Sequence, residues 1–167
     1  SFALCRYSDI APSPALEAGL DVIFFEASNT KAFPDDAARS AFRERWLGRY
    51  LADDARTTFL ALDGAGMVAG YVAGSIEDPA SSRRFADVAY FQTFKTLTRN
   101  FPAHLHVNVA ASHRNQGVGA KLMSRFIAEA ALAACPGVHV VTSRAARNVT
   151  FYLRNGFREE GADGEGA

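Results

Sequence analysis

The stretch from His104 to Leu132 constrains the fold more than any other part of the chain. "HLHVNV", His104 to Val109, alternates strictly, which is the period of a strand with one buried face. Shortly after it, "SHRNQGVGAKL", Ser112 to Leu122, opens a helix over Gly117 to Ala134 with an apolar stripe of Val118, Leu122, Met123, Phe126, Ile127 and Ala130. A strand feeding a helix is a unit of an α/β sheet. The joint between the two needs a reason, because glycine inside a helix costs about 1 kcal/mol relative to alanine. The first helical turn leaves about four N–H groups without partners, and it carries the positive end of the helix dipole. A phosphate enters such a site when no Cβ stands in the way. Gly117 and Gly119 remove two Cβ atoms, and Arg114 and Lys121 add positive charge. The glycine spacing alone leaves two readings open: this anion site, or a soft turn that binds nothing. The layout differs from a dinucleotide fingerprint, which needs a third glycine and an acidic residue about 20 positions on.

The rest of the chain supplies the other layers. Phe2 to Tyr7 reads as a strand and Ser13 to Ser28 as a helix. Pro34, Asp35 and Asp36 open a second helix over Ala37 to Asp53. Thr57 to Leu62, the turn Asp63 to Gly66, and Met67 to Ile76 form a hairpin. Glu77 to Pro102 reads as an insertion with one short helix, carrying Tyr90, Phe91 and Phe94. Cys135-Pro136-Gly137 stops the long helix. Val138 to Ser143 then reads as a strand, Ala145 to Asn155 as a helix, and Gly156 to Glu160 as the start of a last strand. The tail 161–167 reads as flexible. There is no internal repeat. The order predicts one α/β domain over residues 1–167: a mixed, mostly antiparallel central sheet with helices on both faces.

Composition narrows the chemistry. The chain is 49% apolar, which excludes a disordered polymer. Eighteen basic and eighteen acidic residues cancel, which argues against a general nucleic-acid binder but not against a local basic pocket. No apolar run approaches the roughly 20 residues of a membrane span. The opening "SFALCRYSDI" lacks the layout of a signal peptide, and a start at Ser1 reads as trimmed. Cys5 and Cys135 form no ligand pattern, so no metal is expected and a cytoplasmic location is.

A second motif resolves the ambiguity of the glycines. "RNVTFYLRNGF", Arg147 to Phe157, follows the next strand. Arg114-x-x-Gly117-x-Gly119 after a strand resembles the acyl-CoA pyrophosphate loop of the GNAT superfamily of N-acyltransferases. Asn148, Phe151-Tyr152 and Gly156-Phe157 resemble that family's second motif, in the same order and at the same separation. The likeness covers nearly the whole chain. "GYVAGSIED" and "PAHLHVNV" further resemble a bacterial group related to the acetyltransferase-like domain of O-GlcNAc hydrolases. The chain departs from that group at Asn108 and Ala111, and it lacks a clear seventh strand.

The resemblance implies direct transfer of an acetyl group from acetyl-CoA, as co-substrate, to a small amine. In that scheme the backbone of Asn115, Gln116, Gly117, Val118, Gly119 and Ala120 cradles the pyrophosphate beside Arg114. Pantetheine lies in a splay between the strand ending at Val109 and the strand at Val138. It pairs with main chain near Val107, Val109 and Ala110, and Asn148 and Phe151 complete its binding. The Val107 N–H polarises the acyl carbonyl. Tyr152 is the general acid, since a phenol with a pKa near 10 matches a departing thiolate. His106 is the candidate base, with His104 on the same strand face and Glu26 on the first helix as others. Counted back from Arg114, the histidines stand one residue out of register with the related enzymes, and a one-residue slip moves a side chain to the other face. "FFEASNTKAFPDD" and the Tyr90–Phe94 aromatics are candidate walls for the acceptor. No nucleic acid or membrane partner is expected, and a homodimer stays open. The alternatives are a non-catalytic acetyl-CoA-binding module and a phosphate-binding regulatory domain.

Overall fold

Five strands form one sheet in the order β1-β2-β3-β4-β5. They are β1 (Phe2–Arg6), β2 (Phe59–Asp63), β3 (Val68–Ser75), β4 (Ala103–Val109) and β5 (Val138–His139). This computed structural model describes residues 1–163. The pairs β1/β2 and β2/β3 are antiparallel and β4/β5 is parallel, so the sheet is mixed and mostly antiparallel, as the sequence predicts. The chain divides into two compact units. The first comprises Ser1–Ser75 with His106–Glu129, and the second Ile76–Leu105 with the residues from Ala130 on.

In the first unit the β2/β3 hairpin turns where Asp63 Oδ1 accepts the N–H groups of Ala65 and Met67, both at 2.9 Å. β3 is buried from Ala69 to Ser75. The helix α6 (Val118–Leu132) packs on it closely: a Cβ on Gly70 would stand 3.2 Å from Val118 and 3.3 Å from Leu122. Val118, Leu122, Met123, Phe126 and Ala130 of the expected stripe are buried, while Ile127 is 37% exposed. The buried arc centres on the four-residue row from Val118, and Ile127 lies at its margin.

Helix α1 (Pro14–Ala27) begins where Ser13 Oγ caps the Leu16 N–H at 3.1 Å with proline at the first position. Its Leu16, Leu20, Ile23 and Phe24 are buried, the spacing of one helical face. The second predicted helix is present but not continuous. α2 (Asp36–Arg43), capped by Asp35, gives way to a π-helical turn at Glu44–Gly48 and then to α3 (Arg49–Asp53). The wider turn admits Glu44 over Gly48, where a Cβ would meet its carboxylate at 2.2 Å. Arg43 ties α2 to α1 through Asp21 at 2.7 Å and Glu17 at 3.0 Å. Glu17 also accepts the Tyr7 hydroxyl at 2.5 Å, and burial together with that carboxylate pushes the Tyr7 phenol up to about 12.

In the second unit the insertion carries two short helices, α4 (Ala89–Thr93) and α5 (Lys95–Asn100), rather than one. Phe85, Val88 and Phe91 are buried. β5 stops at His139, four residues before the expected end at Ser143. Its parallel pairing covers only Ala103↔Val138 and His104↔His139, and the residues from Val141 to Ala145 are exposed. α7 (Val149–Arg154) is shorter than the expected Ala145–Asn155, because Ser143 Oγ accepts the Ala145 N–H at 3.2 Å and holds a turn there. Gly156–Glu160, expected as a strand, is not one: no strand partner reaches it among the described residues, and 158–160 are exposed. Of the expected flexible tail, residues 164–167 lie outside the described residues. No described helix is long and apolar enough to cross a membrane.

Candidate functional site

In the first unit the turn after β4 carries the candidate anion site. The Ala110 N–H donates to the Ala69 carbonyl at 2.8 Å, and the Ala110 carbonyl accepts the His113 N–H at 2.9 Å. This closes a 3₁₀ turn over Ala111–His113 and delivers the chain to Arg114. Asn115 (φ 63°) and Gly117 (φ 78°) then flank Gln116 in the left-handed region. Asparagine visits that region more readily than most residues, and glycine does so freely. Left-handed residues in such turns bring successive N–H groups to one concave side, the geometry of an anion nest. The Lys121 N–H reaches the Gly117 carbonyl at 3.1 Å, so the first-turn donors Val118, Gly119 and Ala120 have no acceptor within α6. A Cβ on Gly117 would meet no atom within 4 Å. Gly119, expected to open the same approach, is instead buried in the first turn, and the open glycine is Gly117.

The charges around this turn are already engaged. Arg114 Nη2 lies 3.8 Å from Glu26 Oε1, which accepts the Ala111 N–H at 3.1 Å. Lys121 Nζ stands over the Phe2 ring at 5.2 Å rather than at the turn. Upstream, Val107, Val109 and Ala110 are half-buried. His106 is packed edge-on by Trp46 (5.8 Å) and Tyr50 (5.4 Å), two residues on and after the π turn. Asn108 donates to the hydroxyl of the fully buried Tyr71 at 2.8 Å. Burial drives the Tyr71 phenol well above its usual range. Neither the aromatic frame of His106 nor the Asn108–Tyr71 bond is visible in the local sequence. The π turn that presents Trp46 leaves no periodic signal, although the asparagine before Gln-Gly is a clue to a left-handed residue. A cleft of about 360 Å³ in the same unit is lined by Phe25, Lys31, Phe33, Asp36 and Arg39, within and just beyond the segment expected to wall the acceptor. The Arg39 guanidinium covers the Phe25 ring at 3.7 Å.

In the second unit, α7 presents Tyr152. Its N–H donates to Asn148 at 3.0 Å, and its ring lies between Phe151 and Phe157, both 5.5 Å away. The side chain is 7% exposed. Burial pushes its phenol up to about 12, so it stays protonated through the working pH range. Among the described residues its hydroxyl has no hydrogen-bond partner. Asn148 starts α7 without a side-chain cap. Its Oδ1 accepts the Thr142 hydroxyl at 2.8 Å, which leaves its amide N–H groups for another partner.

His104 is a core residue, 3% exposed and enclosed by Phe85, Phe91 and His139 at 4.9, 5.1 and 5.6 Å. Phe91, expected as an acceptor wall, is buried in this cluster. His139 donates from Nδ1 to the Phe101 carbonyl, and its Nε2 is buried without a partner. Burial lowers its pKa, against the opposing effects of the Phe101 carbonyl and Asp78. The folded state therefore holds fewer protons than the unfolded one at mildly acid pH. Stability is complete above the unfolded value of about 6.5 and falls as pH drops below it, levelling under the folded value. Urea melts at pH 8 and pH 5 are expected to differ in midpoint, and the difference is expected to shrink in His139→Gln.

A family model described as an acetyltransferase (GNAT) domain matches residues 53–159. Several solved structures share the fold. The crystal structure of SsHAT is 22% identical, with a TM-score of 0.74, over 98% of this chain and 94% of that one. PH1933 from Pyrococcus horikoshii OT3 is 12% identical, with a TM-score of 0.72, over 98% and 93%. AAC(6')-Iy, in complex with the bisubstrate analogue CoA-S-monomethyl-acetylneamine, is 17% identical, with a TM-score of 0.61, over 98% and 95%. The matched span takes in the β2/β3 hairpin, the left-handed turn at Gly117 and the helix of Tyr152, and by that match the chain belongs to the GNAT acetyltransferase family.

Proposed function

We propose that the chain is a single-domain N-acetyltransferase that moves an acetyl group from acetyl-CoA to a small amine by direct transfer. The observation that carries this reading is Tyr152: a buried phenol, kept protonated, whose hydroxyl is bonded to nothing among the described residues. That hydroxyl is not among the buried side-chain atoms that lack a partner, so it reaches the surface from a packed ring, where a proton donor must stand to meet a leaving group.

In the reaction, the amine nitrogen attacks the thioester carbonyl carbon and forms the C–N bond. The C–S bond then breaks and the sulfur takes its proton from the Tyr152 hydroxyl. An amine that arrives protonated first gives one proton to solvent; once the C–N bond has formed, the nitrogen gives its remaining excess proton to His106 or to solvent, and solvent returns a proton to the Tyr152 phenolate. The turn Arg114–Ala120 binds the diphosphate through Asn115, Gln116, Gly117 and the first donors of α6. Main chain at Val107, Val109 and Ala110 pairs with pantetheine, and the Val107 N–H polarises the acyl oxygen. Asn148 contributes its amide N–H groups and Phe151 an apolar surface to the same arm. The cleft beside Phe25 and Phe33 takes the acceptor. The unbridged thiols Cys5 and Cys135 suit the cytoplasm as the place of reaction.

Calorimetric titration with acetyl-CoA, followed by mass analysis of the protein, tests this reading. Saturable one-to-one binding with no acetyl adduct and no thiol release in the absence of amine is expected. Stoichiometric acetylation of the protein would replace direct transfer with a covalent intermediate. No binding at all would remove the diphosphate assignment.

A further inference from the structure

We propose that Glu26 is a positioning residue: it holds the turn between β4 and α6 and competes with the incoming diphosphate for Arg114. The inference rests on the reading that this turn binds the diphosphate of acetyl-CoA.

Glu26 is the penultimate residue of α1. Its Oε1 accepts the Ala111 N–H at 3.1 Å and lies 3.8 Å from Arg114 Nη2. Among the described residues Arg114 has no other charged partner. One carboxylate thus has two effects of opposite sign on anion binding. The bond to Ala111 fixes the start of the 3₁₀ turn that leads to Arg114 and the left-handed pair Asn115 and Gly117. The charge draws the guanidinium away from an anion and repels the anion itself.

The pair is built to exchange. The Arg114 and Glu26 side chains are 34% and 45% exposed, and an ion pair so wetted holds weakly. A diphosphate offers two charges and a bidentate fit to the guanidinium, and it displaces the single carboxylate. The backbone of Glu26 is fixed from the other side, where its carbonyl accepts Lys31 Nζ at 2.7 Å and Lys31 lines the cleft beside Phe25. Glu26 therefore joins the cleft to the turn.

The test is acetyl-CoA titration of the parent, Glu26→Gln and Glu26→Ala at low and moderate salt. Glutamine keeps an oxygen for the Ala111 N–H and removes the charge, so affinity is expected to rise roughly three- to tenfold at low salt. The gain is expected to shrink as salt is added, a response that a purely structural role would not give. Alanine removes both contacts, and its affinity is expected to fall below that of the Gln variant. Equal affinity in the parent and the Gln variant, with the parent binding normally, overturns this proposal and leaves the diphosphate reading standing. Parent-like affinity in both variants with lost turnover makes Glu26 a base and also overturns it. Failure of the parent to bind acetyl-CoA removes the underlying reading itself.

Discussion

Tyr152→Phe is expected to lower single-turnover acetyl transfer by about 10²-fold or more, the usual range for losing a general acid. Phenylalanine keeps the ring between Phe151 and Phe157 and removes only the oxygen. Because that oxygen makes no hydrogen bond among the described residues, its loss is expected to leave the urea midpoint unchanged. A hydroxyl bonded in the core would instead cost about 1 kcal/mol. Acetyl-CoA affinity is expected to hold, since the proton is delivered only as the C–S bond breaks. With the phenol held at about 12, the parent is expected to keep its rate past pH 10, where an ordinary tyrosine, pKa about 10, begins to lose its proton. Full activity in the Phe variant would take Tyr152 out of the mechanism.

Gly117→Ala is expected to weaken acetyl-CoA binding at least about tenfold, the loss of roughly one charge-assisted N–H···phosphate bond. The new methyl group stands in the open approach to the turn. Alanine at a positive φ also strains the backbone by about 1–2 kcal/mol, and that effect needs a control. Gly66 supplies one. It has nearly the same conformation, φ 81° against 78° at Gly117, and likewise no atom within 4 Å of a built Cβ. Gly66→Ala is expected to lose the same stability in a denaturant melt and to bind acetyl-CoA like the parent. If the two variants lose affinity equally, strain explains both and the turn at Gly117 is not the diphosphate site. Gly119→Val is a poorer probe, because Gly119 is buried and the larger side chain would disturb the packing of α6.

The features that the sequence makes legible are those set by local chemistry. Ser13 before Pro14 and Asp35 before Asp36 mark helix starts that the structure keeps, because a cap is satisfied within three residues. Gly117, read as the first residue of the helix, stands just before it in the left-handed region at φ 78°. Features decided by distant partners are not legible. "VHVVTS" has the composition of a strand to its end, yet a strand ends where its neighbour stops pairing, here at His139. His104 and His106 share a strand face by alternation, but their surroundings differ. One is closed in by Phe85 and Phe91, the other framed by Trp46 and Tyr50. No spacing rule anticipates either set of neighbours. Glu26 and Ala111 stand 85 positions apart, and only the fold brings a helix-end carboxylate to that N–H.

On the proposed function, this GNAT chain is a working acetyltransferase with an amine acceptor. Thiol release from acetyl-CoA, followed over a panel of small amines that includes monoamines, diamines, amino sugars and amino-terminal peptides, tests it most directly. Release is expected to depend on at least one amine, to saturate with it, and to leave the acetyl group on the amine nitrogen. Tight acetyl-CoA binding with no amine-dependent release across the panel would contradict it, and would make the chain a module that binds the thioester without using it.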